Sequence, residues 1–200
     1  NANIVLAYTG GINENIKMQA DYAITNSGDD FFHYTSFQNG GVSSNIIKRD
    51  KWSVGNPNKY IDSGWIHFGV VVELASKYDG VVFKDFIMID NPKSKNMEKT
   101  WGQNGDSIYY GLSLVNIFKN MPSLGYSKQT CEKAIMLIRG NYPRAIVAAK
   151  ANGLKVDVTL IKKFIKCYKG YASFWTIDLI ILVIPSKVFK VFKFIRKVIA

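Results

Sequence analysis

Cysteine is scarce in this chain of 200 residues, where only Cys131 and Cys167 occur. They lie 36 positions apart, without the short paired spacings of a zinc site or the density of a disulfide framework. A reducing compartment is the environment this predicts. Proline is rare at five residues and histidine rarer at two, His33 and His67. No basic stretch followed by an apolar one opens the chain, so no secretory leader is read and no export is predicted. The run from Phe174 to Ile184 is too short to span a bilayer as a helix and contains Asp178, which suits an interfacial or re-entrant position. Carboxylates are sparse in one part only. From Tyr126 to Ala200 there are 3 Asp+Glu against 15 Lys+Arg, whereas Asn1 to Gly125 holds 12 against 11.

What is present is enough apolar matter for a core. With 48% hydrophobic and 14% aromatic residues the chain can fold as one compact domain with an appendage, and disorder throughout is excluded. The chain opens at Asn1 and runs at once into the strand-like Ile4-Val5-Leu6-Ala7-Tyr8, which predicts a fragment that starts inside a domain.

Strands are predicted at 3–8 and 21–25, separated by a Gly10-Gly11 turn. A Gly28-Asp29-Asp30 turn precedes the aromatic cluster Phe31-Phe32-His33-Tyr34, and Val42 to Ile47 reads as a short strand or a strand-to-helix junction. Gly55-Asn56-Pro57-Asn58 reads as a loop. The apolar spacing predicts a largely buried helix over 65–77, strands at 81–83 and 86–89, and a polar loop over 91–99. Helices follow at 107–121, 127–140, about 143–151 and 157–169, with breaks at Gly140, Pro143 and Gly153. No internal repeat is visible. The order is α/β first, then all-α and basic.

Three segments share a pattern: Ser43-Ser44-Asn45-Ile46-Ile47-Lys48-Arg49-Asp50-Lys51-Trp52, then Tyr60-Ile61-Asp62-Ser63-Gly64-Trp65-Ile66-His67, then Trp101-Gly102-Gln103-Asn104-Gly105. In order and spacing, the stretch from about Gly40 to Met121 resembles the C-terminal, acceptor-side half of inverting family-2 glycosyltransferases. The likeness is to the abequosyltransferase-like branch that builds O-antigen and capsule repeats. It implies the C-terminal part of a GT-A-like mixed sheet with flanking helices, followed by a basic all-α tail. The domains expected are 1–125 as the partial transferase domain, 126–171 as a helical extension and 172–200 as an amphipathic membrane-associated tail. The family's donor-binding half, with its Asp-x-Asp metal motif, would lie before Asn1. A divalent metal, Mg2+ or Mn2+, is therefore expected in the complete enzyme with its ligands outside this chain. The expected partners are a nucleotide-sugar, a lipid-linked saccharide acceptor and a separate N-terminal half.

Inverting transfer needs a carboxylate to deprotonate the acceptor hydroxyl. The resemblance places that base at Asp62, for which helix capping is the structural alternative. His67, one turn on, is suited to orient the base or meet donor phosphate, or else is a hydrogen-bonded histidine on a buried helix face. Trp65 and Trp101 are sugar platforms or core aromatics, and Ser43, Ser44 and Asn104 complete the substrate-binding set. Asp29-Asp30, with Asp21 nearby, reads as turn composition, since it comes too late in the chain for the family's metal motif.

In the tail, Lys187, Lys190, Lys193 and Lys197 fall within roughly 120° of a helical wheel, opposite Phe192 and Ile195. Apolar residues among lysines suit an anionic membrane surface better than nucleic acid, which needs polar base-reaching side chains. The expected location is peripheral, on the cytoplasmic face of the inner membrane, with no nucleic acid bound. The rival readings are a non-catalytic membrane-binding remnant of the same fold and a basic nucleic-acid-binding protein.

Overall fold

The computed structural model describes residues 4–10, 16–18, 20–37, 44–85 and 106–189, except the side chains of 106 and 107. The predicted strand at 86–89, the polar loop after it and the tail beyond 189 lie outside these residues. Two compact units make up the chain, one from residues 1–92 and 117–134, the other from 93–116 and 135–200.

The first unit is α/β. Strands β1 (Ile4–Tyr8), β2 (Tyr22–Thr25), β3 (Asn45–Ile47) and β4 (Asp79–Phe83) form one sheet in the order β2-β4-β1-β3. β1 runs parallel to β4, with Ala7 opposite Val81, while β3 pairs antiparallel with β1 and β2 antiparallel with β4. The sheet is therefore mixed, as the sequence predicts at that level. Helix α2 (Ile66–Ala75) packs on β1, where Val5, Val70 and Leu74 form a buried cluster with Ile47 and Tyr78 against it. Every residue of α2 from Phe68 to Ala75 is buried, as expected of a helix apolar on all sides.

Three local readings are corrected. The Gly28-Asp29-Asp30 turn is the first turn of helix α1 (Gly28–Thr35), because Ser27 caps it by accepting from the Asp30 amide at 3.1 Å. The loop predicted at 55–58 is instead the junction of two 3-10 segments, Arg49–Gly55 and Pro57–Ser63, separated only by Asn56 with φ of 50°. The helix expected to break at Gly140 and Pro143 runs unbroken as α4 (Lys128–Ala151). An interior proline costs about 3 kcal/mol. Burial of Ile135, Tyr142, Ile146 and Ala149 along one face, on both sides of Pro143, offsets it.

Within α2 one charge is buried. Glu73 is held by Lys59 (Nζ to Oε1, 2.7 Å), by the Tyr60 hydroxyl (2.9 Å) and more loosely by Lys77 (3.5 Å). Gly69 makes this possible, since a β-carbon there would collide with the Tyr60 ring. Burial alone would raise the Glu73 pKa, but the hydrogen bonds from Lys59 and Tyr60 and the two lysine charges together hold it below the ordinary value.

The second unit is helical. It holds the first part of α3 (Asp106–Asn120), most of α4, α5 (Val158–Tyr168), a π-helical turn over Phe174–Asp178 and the short α6 (Leu179–Val183). Its core is aromatic: Tyr142 meets Phe164 and Tyr168 edge-on at centroid distances of 5.2 and 5.5 Å. Asp157 caps α5 by accepting from the Leu160 amide at 2.7 Å.

The Glu73 cluster yields a pH-dependent prediction. A depressed carboxyl pKa contributes stability that is complete above the unfolded-state value and is lost as pH falls through the folded one. Because Lys59 and Lys77 are partly exposed, the ionic part is on the order of 1 kcal/mol. Glu73→Gln should therefore lower the urea midpoint at pH 7, and the gap from the unaltered chain should narrow as pH drops below about 5, as urea titrations at both pH values will show.

Candidate functional site

The stretch that carries Asp62 is shaped by two left-handed residues. Asn56 opens the second 3-10 segment and Gly64, at φ 74° and ψ 2°, ends it. Ser63 fixes the corner between them and α2, donating its hydroxyl to the Tyr60 carbonyl at 2.6 Å and accepting from the Trp65 amide at 2.9 Å. Tyr60 is in turn anchored to Glu73. The result is a rigid corner that turns Ile61 and Asp62 outward to solvent.

Asp62 does not cap the following helix. The N-cap position of α2 is Trp65, which makes no side-chain capping bond, and the hydroxyl on the corner amide belongs to Ser63. The capping alternative for Asp62 therefore has no geometric basis. His67 lies in the first turn of α2 and is half-buried, short of the fully buried face that begins at Phe68. Its ring is tilted 48° to that of Trp65, with centroids 6.0 Å apart, and Trp65 is half-buried too. An exposed carboxylate, an indole face and an imidazole thus lie close together in the chain, on either side of the Gly64 corner. This combination can accept a proton, pack on an apolar sugar face and donate a hydrogen bond.

The other candidates are placed as follows. Ser44 stands ahead of β3, its carbonyl accepting from the amide and the hydroxyl of Thr9 at 2.8 and 3.3 Å, and its own hydroxyl accepts from the Asn45 side-chain Nδ2 at 3.4 Å. Ser43, Trp101, Asn104, Lys190, Phe192, Lys193, Ile195 and Lys197 lie outside the described residues. Lys187 is described and exposed, in a helical turn that starts at Ser186, whose hydroxyl donates to the Leu154 carbonyl at 3.2 Å.

For a metal the described residues do not fit. Among them no three His, Cys, Asp or Glu side chains converge. Asp29 accepts from the Ser127 amide with both oxygens, at 3.1 and 3.2 Å, and Asp30 takes the Ser27 hydroxyl at 2.8 Å, so both carboxylates are engaged as helix-end acceptors.

The helical unit contains polar groups that pattern reading did not pair. Asp178 and Arg139 form a buried ion pair at 3.1 Å, with the guanidinium 5.6 Å from the centre of the Tyr171 ring. Burial raises the Asp178 pKa, opposed by the hydrogen bond and charge of Arg139. Lys150, 1% exposed, directs its ammonium to the carbonyls of Ile181, Leu182 and Ile184 at 2.5 to 2.8 Å. Elsewhere in this unit, Tyr109, Ser113, Lys163 and Lys166 help line a cleft of about 190 Å³, and the Lys163 ammonium sits 5.1 Å from the centre of the Tyr109 ring. The available signal was a lone charge inside an apolar run, which has to find a partner when buried; Asp178 shows it in the sequence, and so does Glu73.

The fold and the corner thus define a mixed α/β unit with an outward carboxylate just ahead of an aromatic pair in the chain, together with a basic helical unit. No family model, no curated protein and no solved structure matches the chain.

The corner makes a prediction about stability. Asp62→Ala should leave the melting temperature unchanged within error, since its side chain supplies no cap, whereas Gly64→Ala should lower stability by about 1 kcal/mol through its positive φ. Thermal melts of the two variants separate a structural Asp62 from one available for chemistry.

Proposed function

We propose that the α/β unit is the acceptor-side part of a GT-A-like inverting sugar transferase, working on a lipid-linked saccharide at the cytoplasmic face of the plasma membrane in surface polysaccharide synthesis. The observation that carries this reading is the Asp62 corner. Asp62 is exposed, does not cap α2 and precedes the paired rings of Trp65 and His67 across the Gly64 corner. The residue pattern around it supplies the resemblance.

In this reading Asp62 Oδ takes the proton of the acceptor hydroxyl as that oxygen attacks the anomeric carbon. The new glycosidic C–O bond forms while the old bond to the nucleoside diphosphate breaks, and its electron pair leaves with the diphosphate. Trp65 presents its indole face to a sugar ring, and His67 orients Asp62 or donates to a phosphate oxygen. Ser43, Ser44, Trp101 and Asn104 are assigned to substrate binding on the strength of the resemblance. A divalent metal would supply charge stabilisation of the leaving diphosphate, with ligands from a donor-binding half and not from the described residues.

The second reading, a membrane-binding scaffold without turnover, is favoured by a separate observation: apolar side chains from Trp175 to Val188 point to solvent in a unit rich in lysine. Sugar transfer by the chain joined to a donor-binding half distinguishes the two, since a scaffold shows vesicle binding alone.

The decisive variant is Asp62→Asn. In the chain joined to a donor-binding half, it should lower the turnover of sugar transfer by about 100-fold or more with little change in donor affinity, the usual scale of general-base assistance. Unchanged turnover removes Asp62 from the mechanism.

A further inference from the structure

Residues 174–183 of the helical unit are apolar on the outer side as well as on most of the inner one. The single charge of the segment, Asp178, points inward to Arg139, together with the buried Phe174 and Leu182. Outward point Trp175, Ile177, Ile180 and Val183, each 46 to 60% exposed, and Val188 follows at 41%. A helix packed on a domain in water carries polar side chains on its outer side.

The polar groups left on that outward side are satisfied from within. The Trp175 indole N–H donates to the Lys169 carbonyl at 3.0 Å, and the Thr176 hydroxyl to the Ala172 carbonyl at 3.4 Å. On the inner side, the end of α6 is closed as well, where the buried Lys150 donates to the terminal carbonyls of Ile181, Leu182 and Ile184. A surface meant for water has no need of such closure, because water satisfies these groups at no cost. One that meets hydrocarbon does.

We infer that the outward face formed by Trp175, Ile177, Ile180 and Val183 is a preformed insertion surface for an anionic lipid bilayer, seated at the boundary between headgroups and acyl chains. Charge selects this occupant. Lys169 and Lys187, both exposed, bracket the face in sequence, and Lys162, Lys163 and Lys166 add exposed positive charge to the same unit. A second copy of the chain would bring the same excess of positive charge, 15 basic against 3 acidic residues from Tyr126 onward, and would be repelled. Insertion is shallow: ten helical residues rise roughly 15 Å, about half a bilayer core, and among the described residues no helix is long and apolar enough to cross a membrane. The Arg139–Asp178 pair and the Lys150 carbonyl cap are positioning contacts that keep the face turned outward. The inference does not depend on the transferase reading, and its test involves no sugar.

The test is vesicle binding by the full chain, with Trp175 isolated by difference from a Trp175→Phe variant. Without vesicles, acrylamide should quench Trp175. Vesicles of phosphatidylglycerol and phosphatidylcholine should shift its emission to the blue and protect it, and pure phosphatidylcholine should do so at least tenfold more weakly. Ile180→Ser with Val183→Ser should weaken binding at least tenfold at low and high salt, with unchanged melting, because both side chains are outward. Should that variant fold poorly, acyl-chain brominated lipid added to the unaltered chain gives the same answer, and quenching of Trp175 is the expected result. A Trp175 already shielded from acrylamide in solution overturns the proposal, since another part of the chain or a second copy then covers the face. So does vesicle binding that leaves Trp175 unquenched by bromolipid, or a folded Ile180/Val183 variant that binds as tightly as the unaltered chain.

Discussion

The buried carboxylate of Glu73 holds the α/β unit in its working shape. It lies in the last turn of α2, a helix otherwise apolar from Phe68 to Ala75, and draws in Lys59 and Tyr60 from the preceding 3-10 segment. A charge removed from water in this way needs partners, because an unpaired buried ion costs far more than one contact returns. Those partners bring the 3-10 segment down onto the helix. Gly69 leaves room for the Tyr60 ring, Ser63 locks the corner, and Gly64 turns the chain into α2. The outward position of Asp62 is thus a consequence of what Glu73 requires.

The helical unit solves a comparable problem twice. Arg139 and Asp178 pair across 39 positions of sequence, and Lys150 reaches carbonyls more than 30 positions away. Both contacts consume buried polar groups near one short helical segment and leave its outer side apolar. In the two units alike, a buried ionic contact sets which neighbouring side chains face outward.

Much of this was legible in the pattern of apolar residues. β1, α2, α3 and α5 stand close to where periodicity puts them, because each buries a continuous run or a single stripe, and β2 stands close to its predicted place too. The mixed α/β character followed. The errors occurred where one residue's local habit was outweighed. Pro143 reads as a break, yet packing on both sides of it carries α4 through. Gly28-Asp29-Asp30 reads as a turn, yet a capping serine just before it makes it a helix start. At the site, Asp62, Trp65 and His67 were legible as residue types but not as a corner. That shape depends on Asn56 and Gly64 in left-handed conformations and on a bond from Tyr60 to Glu73, which no local window contains.

The central claim, that the Asp62 corner receives a saccharide, is tested most directly by titrating the labelled chain with short oligosaccharides of the acceptor type and following amide and indole NMR shifts. The account predicts perturbations concentrated on residues 60–67, with the Trp65 indole among the largest, and loss of those shifts in Trp65→Ala. Saccharide-induced shifts that lie elsewhere and leave 60–67 unmoved would contradict it.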